Sequence, residues 1–541
     1  MTKINIVAGK NKEWWKASVF YQVFPASFYD SNGDGYGDLR GIIMKLDYLS
    51  WLGVDALWLS PVFESPFFDM GYDVTDYLSV NPIFGNLGDL RELLSEAHKK
   101  GIRIILDLVL NHTSIEHPWF QESRSSITNP KRDWYIWNKG SSRRKPNNWK
   151  SLYGGSAWSF DATTGEYYYH TFFKEQPDLN WRNQDVRRHF FNIVRFWVDL
   201  GVDGFRLDVI NVIVKDRELR NSPPPFLYQL LGRENYVTRN QRESFNVIQE
   251  LREVVDEYAG TLLLGEIYTL PPGNPGLVSV YLNGKQKRLH LAFNFSLMFS
   301  SWSAGKYHNA VVKWMNHIPD EAWPCHVLSN HDLNRSLGFE WFTNLSDKKA
   351  KVMATLLLTL KGTPFIYYGE EIAMRNSFIP KRRIIDPLGK RFWPLYMGRD
   401  PSRTPMQWDA RIHGGFSEGE PWLPLHRGWP IRNVSNQMAD GTSILMFYRE
   451  LLELRKSRHT LQYGDWIPVI TGENNILAYL RTSSEEQILI VLNFSRRSRR
   501  IRINHYMEGT VLISTNRSTS EKIRLTDLRL FPFESTILQI R

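Results

Sequence analysis

The chain has a single cysteine, Cys325, among 541 residues, so no intramolecular disulfide can form. An apolar run lies beside it, and a small buried hydrophobe in a reducing compartment is the reading that follows. No stretch of about 18 apolar residues runs without a charge, and the N-terminal segment Met1–Lys10 carries no sustained apolar run. A soluble cytoplasmic protein without membrane contact is expected. The formal charge is +10, from 67 basic and 57 acidic residues, yet no long Lys/Arg block is present. A nucleic-acid partner is therefore excluded. The short clusters Arg143–Lys145 and Lys381–Arg383 read as solvated loops, with steering of a phosphorylated substrate as the alternative. A glycine-rich phosphate turn after an early strand is missing too, which removes the doubly wound nucleotide fold. Neither a solenoid repeat nor a low-complexity tract occurs.

Aromatic residues, in contrast, are abundant: 20 Trp and 24 Tyr help to make 14% of the chain aromatic. Flat apolar faces with a polar edge suit sugar rings, although most of these residues can equally fill a large core. One pattern recurs along the chain, in which an amphipathic helix closes on Gly and a short apolar run follows. It appears at Gly53 before Val54–Leu59, Gly101 before Ile102–Asp107, Gly201 before Val202–Leu207 and Gly362 before Thr363–Tyr368. Val186, Phe190, Ile193, Trp197 and Leu200 share one helix face ahead of Gly201. The apolar runs are too continuous for half-exposed strands, so they belong to a parallel sheet covered on both sides. Adding Ser18–Phe24, Leu262–Ile267, Leu289–Asn294 and His326–Ser329 brings the count to eight. The expected fold is an α/β (β/α)8 TIM barrel over 1–110 and 182–457.

Between Asn111 and Trp181 the rhythm breaks into aromatics and turn residues, and an irregular inserted domain, 111–181, is expected after the third strand. After residue 458 short alternating runs such as Gln487–Leu492 and Thr510–Ile513 predict a C-terminal antiparallel β-sandwich, 458–541.

Three carboxylates sit at or near the ends of apolar runs: Asp208 in Gly204–Ile210, Glu266 in Leu262–Ile267 and Asp332 in Val327–Asp332. Arg206 and Asp208, two apart on a strand, share a face, and a guanidinium beside a carboxylate holds it ionised. Glu266 lies among leucines, a setting that should keep a proton on it. One ionised and one protonated carboxyl is the pairing for retaining glycoside hydrolysis, with a separation of about 5 Å. Asp332 would then hold substrate hydroxyls and favour a distorted ring. Each acid alone could be a helix cap. Three at strand ends, with Arg206, His112 and His331 alongside, point to one site.

These residues carry a resemblance. Asp107–His112, Gly204–Asp208, Gly265–Glu266, Asn330–Asp332, Gln176–Asn180 and Arg403–Trp408 together resemble the α-amylase family of glycoside hydrolases, in particular its intracellular α-glucosidase and oligo-1,6-glucosidase branch, over essentially the whole chain. The resemblance implies Asp208 as nucleophile, Glu266 as acid/base and Asp332 as the carboxylate that supports the transition state. It makes His112, His331, Gln176 and Arg206 residues of the substrate pocket. Tyr72, Asp73 and Arg399 resemble the group that closes the pocket around a terminal glucose in exo-acting members, with Arg403 a second candidate for the arginine that reaches the sugar. Val209 occupies the position where the family tends to carry Val in enzymes acting on α-1,6 bonds, a feature also found in relatives acting on sucrose and trehalose phosphate.

The segment Asp30–Asp38 places oxygen-bearing side chains at positions 1, 3, 5 and 9 with Gly at position 6, the first part of a calcium loop. Gly41 stands where the bidentate Glu belongs, and an Asx-rich turn capping a helix near Leu39 is the competing reading. The resemblance implies a structural Ca2+, with Mg2+ as the alternative, held by Asp30, Asn32, Asp34, Asp38 and the Tyr36 carbonyl. No organic cofactor is expected. The implied activity is exo-acting, retaining hydrolysis of terminal α-linked glucose from short oligosaccharides, with α-1,6 links favoured. α-1,4-Glucosidase, sucrose-acting glucosyltransferase or isomerase, and trehalose-phosphate hydrolase are the enzymatic alternatives. The isomerases carry an Arg-Leu-Asp-Arg-Asp stretch after strand eight, which Lys381–Asp386 does not match. A non-catalytic transporter partner is the remaining reading, disfavoured because all three carboxylates are present. Both monomer and dimer stay open.

Overall fold

A computed structural model describes residues 13–141, 144–224, 236–269, 272–282, 284–336, 344–503 and 506–540. The N-terminal segment through Lys10 and Arg143, read above, lie outside these. Eight parallel strands are present: β1 (Phe20–Val23), β2 (Ala56–Leu59), β3 (Arg103–Leu108), β4 (Gly204–Leu207), β5 (Leu262–Gly265), β6 (Leu291–Ala292), β7 (Cys325–Val327) and β8 (Thr363–Tyr367). They form one sheet in the order β6-β5-β4-β3-β2-β1-β8-β7. The fold is the expected (β/α)8 barrel, and every anticipated apolar run contributes a strand.

The chain divides into two compact units, one holding 58–96 and 103–293, the other 15–57, 97–102 and everything from 294 onward. In the first, β3 pairs with β4 so that Asp107 stands opposite Arg206, and β4 pairs with β5 so that Leu264 does. Ahead of β4, the helix Gln184–Leu200 buries Val186, Phe190, Ile193 and Trp197. Asn183 caps its start through the Asp185 and Val186 amides, and Gly201, at φ 112°, ends it by donating to the Trp197 and Val198 carbonyls. A Cβ on Gly204 would stand 2.5 Å from the Leu262 carbonyl oxygen, so the approach of β4 to β5 admits no side chain there.

The inserted segment is more regular than its sequence suggests. It contains a helix, Pro118–Ser125, and a three-stranded sheet with Glu166–Tyr169 between Trp137–Asn138 and Trp158–Asp161. Trp149, Ala157, Trp158 and Tyr169 form its small core. Aromatics placed on strands of two to four residues give too short a run for alternation to be visible.

In the second unit β1 and β7 each pair with β8. Cys325 is fully buried in β7, as expected. The C-terminal region begins its first strand at Asp465, after the helix His459–Tyr463, and forms a six-stranded antiparallel sheet with a separate two-stranded pair, Arg499–Ile501 and Leu528–Leu530. Leu489, Val491, Leu528, Leu530 and Leu538 belong to one core between them. Two guanidiniums are buried at its start without a carboxylate partner among the hydrogen bonds they make. Arg455 donates to the carbonyls of Leu358, Leu360, Leu461 and Gly362; Arg481 donates to those of Thr359, Leu461 and Gly464. These are orphan acceptors at the ends of two helices, which the cations satisfy.

Candidate active site

Arg206 is the hub of the first unit's polar cluster. Its side chain is completely buried and projects from β4. Nη1 donates to Asp107 Oδ1 and Asp208 Oδ1, each at 2.7 Å, while Nη2 is hydrogen-bonded to Glu266 Oε2. Asp208 and Glu266 are each 7% exposed, so a substrate can reach them while bulk water is largely excluded. The Val209 amide also donates to Glu266 Oε2, at 3.3 Å. The two carboxylates are thus held by a single guanidinium, Asp208 through Nη1 and Glu266 through Nη2. Arg206 sits beside Asp208 as the strand spacing predicts, and it also reaches Glu266, so it does not by itself separate an ionised carboxyl from a protonated one. The leucines flanking Glu266 hid this contact, because the strand register that creates it is non-local.

Asp107, with no role foreseen, is the third acid on the hub. Tyr72 Oη donates to its Oδ2 at 2.9 Å and Trp58 Nε1 at 3.3 Å. Burial pushes its carboxyl up to about 6 against the pull of Arg206. Burial also works against the Arg206 cation, but Asp107, Glu266, Tyr72 and Asp208 outweigh it and hold the guanidinium protonated. Asp107, Asp208 and Glu266 thus share one buried cation.

His112, Gln176 and Tyr72 are brought together. His112 Nε2 lies 2.8 Å from the Tyr72 carbonyl, and Gln176 Nε2 donates to that same carbonyl and to Asp69, each at 3.1 Å. Burial pulls the His112 imidazole down to about 4, so it is neutral at physiological pH. Asp73 accepts from Ser65 Oγ and the Phe68 and Asp69 amides, and burial pushes it up to about 7. Behind His112, Asn111 donates to Asp178, and Lys215 is ion-paired with Asp178 and donates to Asn111 at 2.7 Å. Sequence reasoning missed this buried triad. The signal was a lone lysine closing the apolar run that starts at Val209, since a buried cation demands a partner.

Val209, directly after Asp208, has φ 35° and ψ 45°, a left-handed conformation that a β-branched residue adopts only under constraint. It packs with Phe172, Val212, Tyr153 and Tyr268.

In the second unit Asp332 is gripped from several sides. Arg403 Nη2 donates to its Oδ1 at 2.9 Å, Arg399 Nη1 lies 3.4 Å from that oxygen, and His331 Nε2 is 3.2 Å from Oδ2. Of the two arginines Arg403 is the nearer to Asp332, while Arg399 is anchored by Asp386, whose carboxyl it holds below the usual range against the opposing effect of burial. His331 Nδ1 is 2.8 Å from Gln22 Nε2, and Phe24 stacks on its ring.

The loop Asp30–Asp38 folds on itself. Asp30 accepts from the Asn32, Gly33 and Gly35 amides and Ser417 Oγ, Asp34 from the Tyr36 amide, and Asn32 from the Asp34 amide. Asp38 caps the helix Leu39–Met44 through the Gly41 amide. Among the described residues no three His, Cys, Asp or Glu side chains converge as a metal-holding group. The loop's oxygens are hard donors of the right kind for Ca2+, but several are engaged by the loop's own amides, the pattern of the Asx-turn reading.

Residues 22–464 match the profile of the α-amylase catalytic domain. The chain belongs to the α-amylase family. It is 40% identical to an oligo-1,6-glucosidase of Parageobacillus thermoglucosidasius, covering 98% of this chain and 99% of that one. It is 37% identical to the trehalose-6-phosphate hydrolase of Bacillus subtilis (strain 168), over 89% and 90%. Among solved structures it superposes on the α-glucosyl transfer enzyme XgtA with a TM-score of 0.90 at 37% identity, covering 98% and 99% of the two chains. The trehalulose synthase MutB from Pseudomonas mesoacidophila MX-45 superposes at 0.91 with 32% identity, over 99% and 100%. As a member of the α-amylase family the protein is a glycoside hydrolase acting on oligosaccharides, and no helix among the described residues is long and apolar enough to cross a membrane.

Proposed function

We propose that the protein is an exo-acting, retaining α-glucosidase that releases terminal glucose from short oligosaccharides and favours α-1,6 links. The observation that carries the reading is the sharing of Arg206 by Asp208 and Glu266. In the proposed cycle the Asp208 carboxylate attacks the anomeric carbon while Glu266 delivers its proton to the departing glycosidic oxygen. Water, deprotonated by Glu266, then cleaves the glucosyl ester and restores both groups. The family resemblance supports ring-hydroxyl binding by Asp332 and substrate-binding roles for His112, His331, Tyr72, Asp73, Gln176 and Arg399. Val209 narrows the room for the leaving sugar, which supports the α-1,6 preference, as do the names of several relatives.

Purified protein offered isomaltose, maltose, sucrose, trehalose and panose decides the linkage, with isomaltose hydrolysed fastest and α-glucose released first by NMR. Initial β-glucose would refute retention. The solved relatives that act by glucosyl transfer or on sucrose support a second reading, interception of the ester by a sugar instead of water. Formation of isomeric disaccharides from sucrose would favour it. The lone cysteine supports a cytoplasmic location, which cell fractionation tests. We also propose Ca2+, or alternatively Mg2+, as a structural ion at Asp30, Asn32, Asp34, Asp38 and the Tyr36 carbonyl, whose oxygens are hard donors of the kind it takes.

A further inference from the structure

Asp386 is a fully buried carboxylate to which the proposed cycle gives no part. It holds Arg399 by backbone and side chain together. Oδ2 accepts from the Arg399 amide at 2.6 Å and from Nε at 3.1 Å, while Oδ1 accepts from Nη2 at 2.8 Å. This is the two-pronged fork in which a guanidinium meets a carboxylate edge to edge. The other terminal nitrogen, Nη1, donates to Asp332 Oδ1 at 3.4 Å. Because a guanidinium is planar and rigid, fixing its Nε–Nη2 edge also fixes where Nη1 stands. The Asp332 side chain is 33% exposed, against 5% for Arg399 and none for Asp386, so the three lead from the interior out to solvent.

The backbone is shaped to this pairing. Gly398, just ahead of Arg399, has φ 75°, and a Cβ there would stand 2.4 Å from Asp386 Oδ2. The Ile385 and Asp386 amides donate to Asp400 Oδ2 at 2.7 and 3.0 Å. The residue after Arg399 thus holds the backbone of Asp386, and Asp386 holds the backbone of Arg399. Asp386 also caps the helix Pro387–Phe392, accepting from the Leu388 amide at 3.2 Å. A cap does not require a charge, since Asn and Ser serve about as well. Two anionic oxygens are what a guanidinium fork requires, so capping explains the position but not the choice of Asp over Asn.

We propose that Asp386 is a positioning residue for recognition of the terminal glucose: it holds the Arg399 fork so that Nη1 is presented beside Asp332, where the two can share a sugar hydroxyl. The proposal rests on the glycosidase reading, with Arg399 in the substrate pocket, and deepens it. Asp386 itself touches no sugar.

The test is a double-mutant cycle of Asp386→Asn, Arg399→Met and the two combined, on isomaltose and p-nitrophenyl α-glucoside, with urea unfolding alongside. Asn keeps the cap and removes the charge. Asp386→Asn is expected to lose at least about tenfold in kcat/KM, the size of one misplaced charge-assisted hydrogen bond. The loss should be alike on both substrates, because the terminal glucose is common to them and only the leaving group differs. The double variant should fall no more than about twofold below Arg399→Met, since a residue that acts through another has nothing left to lose once that other is gone. Asp386→Glu keeps the charge but shifts the fork by a methylene, and it carries the same cycle if Asp386→Asn does not fold. Losses that multiply in the double variant, or a loss confined to one substrate, would overturn the proposal. A lowered urea midpoint with unchanged kcat/KM would make Asp386 a cap alone and overturn it as well. An unmodified enzyme inert towards every glucoside would overturn the glycosidase reading and this proposal with it.

Discussion

Replacing Arg206 with Met gives the most direct test of the hub. The substitution roughly preserves side-chain volume but leaves Asp107, Asp208 and Glu266 facing one another without their common cation. Removing one partner from a buried ion pair costs about 3–5 kcal/mol, because the survivor is charged and stranded. Here the survivors can escape by taking up protons, and Asp107, already near 6 with Arg206 present, does so first. The sign follows from linkage. A carboxyl whose folded pKa lies above its unfolded value of about 3.9 binds protons preferentially in the folded state, so its stabilising contribution is complete below that value and is lost as pH rises through the folded pKa. Losing the cation raises the Asp107 value further and widens that window upward. Urea unfolding at about pH 8 and about pH 5 should therefore show a deficit near the full 3–5 kcal/mol at the higher pH and clearly less at the lower. Hydrolysis should fall at least about a hundredfold, since each charge-assisted hydrogen bond lost is worth about 1.5–3 kcal/mol. A deficit independent of pH, or a variant with near-normal turnover, would refute the assignment of Arg206 as the shared counter-ion.

Asp208→Asn should abolish turnover on isomaltose with an unchanged circular dichroism spectrum; full activity would remove the nucleophile. His112, pulled from about 6.5 towards about 4 by burial, is stabilised neutral; its folded pKa is depressed, so stability present above 6.5 is lost as pH falls through 4, and His112→Gln should flatten that acid limb in melting curves. Val209→Thr keeps the branched shape and the left-handed backbone but adds a hydroxyl, and the maltose-to-isomaltose rate ratio should rise by about tenfold, within the range of 1–3 kcal/mol for small changes in a pocket wall. Adding Ca2+ to chelator-treated protein should raise the melting temperature if the Asp30–Asp38 loop binds it, and Asp30→Ala should cancel that rise; no shift in the unmodified protein would leave the loop as a self-capped turn.

The barrel was legible because each strand is announced locally. Gly201 ends a helix by its own backbone geometry, and the four buried residues of β4 follow within a few positions. Arg206 and Asp208 were legible as a pair for the same reason, the two-residue period of a strand. What could not be read is what one strand sets opposite another. Asp107 meets Arg206 only through the β3–β4 register, and Glu266 joins them through β5. Lys215, Asp178 and Asn111 come together from positions more than thirty residues apart in sequence, so neither spacing nor periodicity marks them. Val209 was noticed for its identity but not for its backbone, since nothing local in the sequence forces a valine into positive φ.

The two carbonyl-bound arginines set a rule for where the chain can be cut. Arg481 lies on the second strand of the C-terminal sheet, while its acceptors are Thr359 at the end of the helix that leads into β8, Leu461 in the helix His459–Tyr463 and Gly464 in the turn before Asp465. A catalytic fragment trimmed near residue 460 would forfeit Arg481 and expose the Thr359 carbonyl that it covers. Engineers seeking a minimal enzyme, or grafting a foreign tail, would have to carry that strand along or redesign the helix ending. The C-terminal sheet is thus a built-in lid on the backbone of its neighbour, not a detachable passenger.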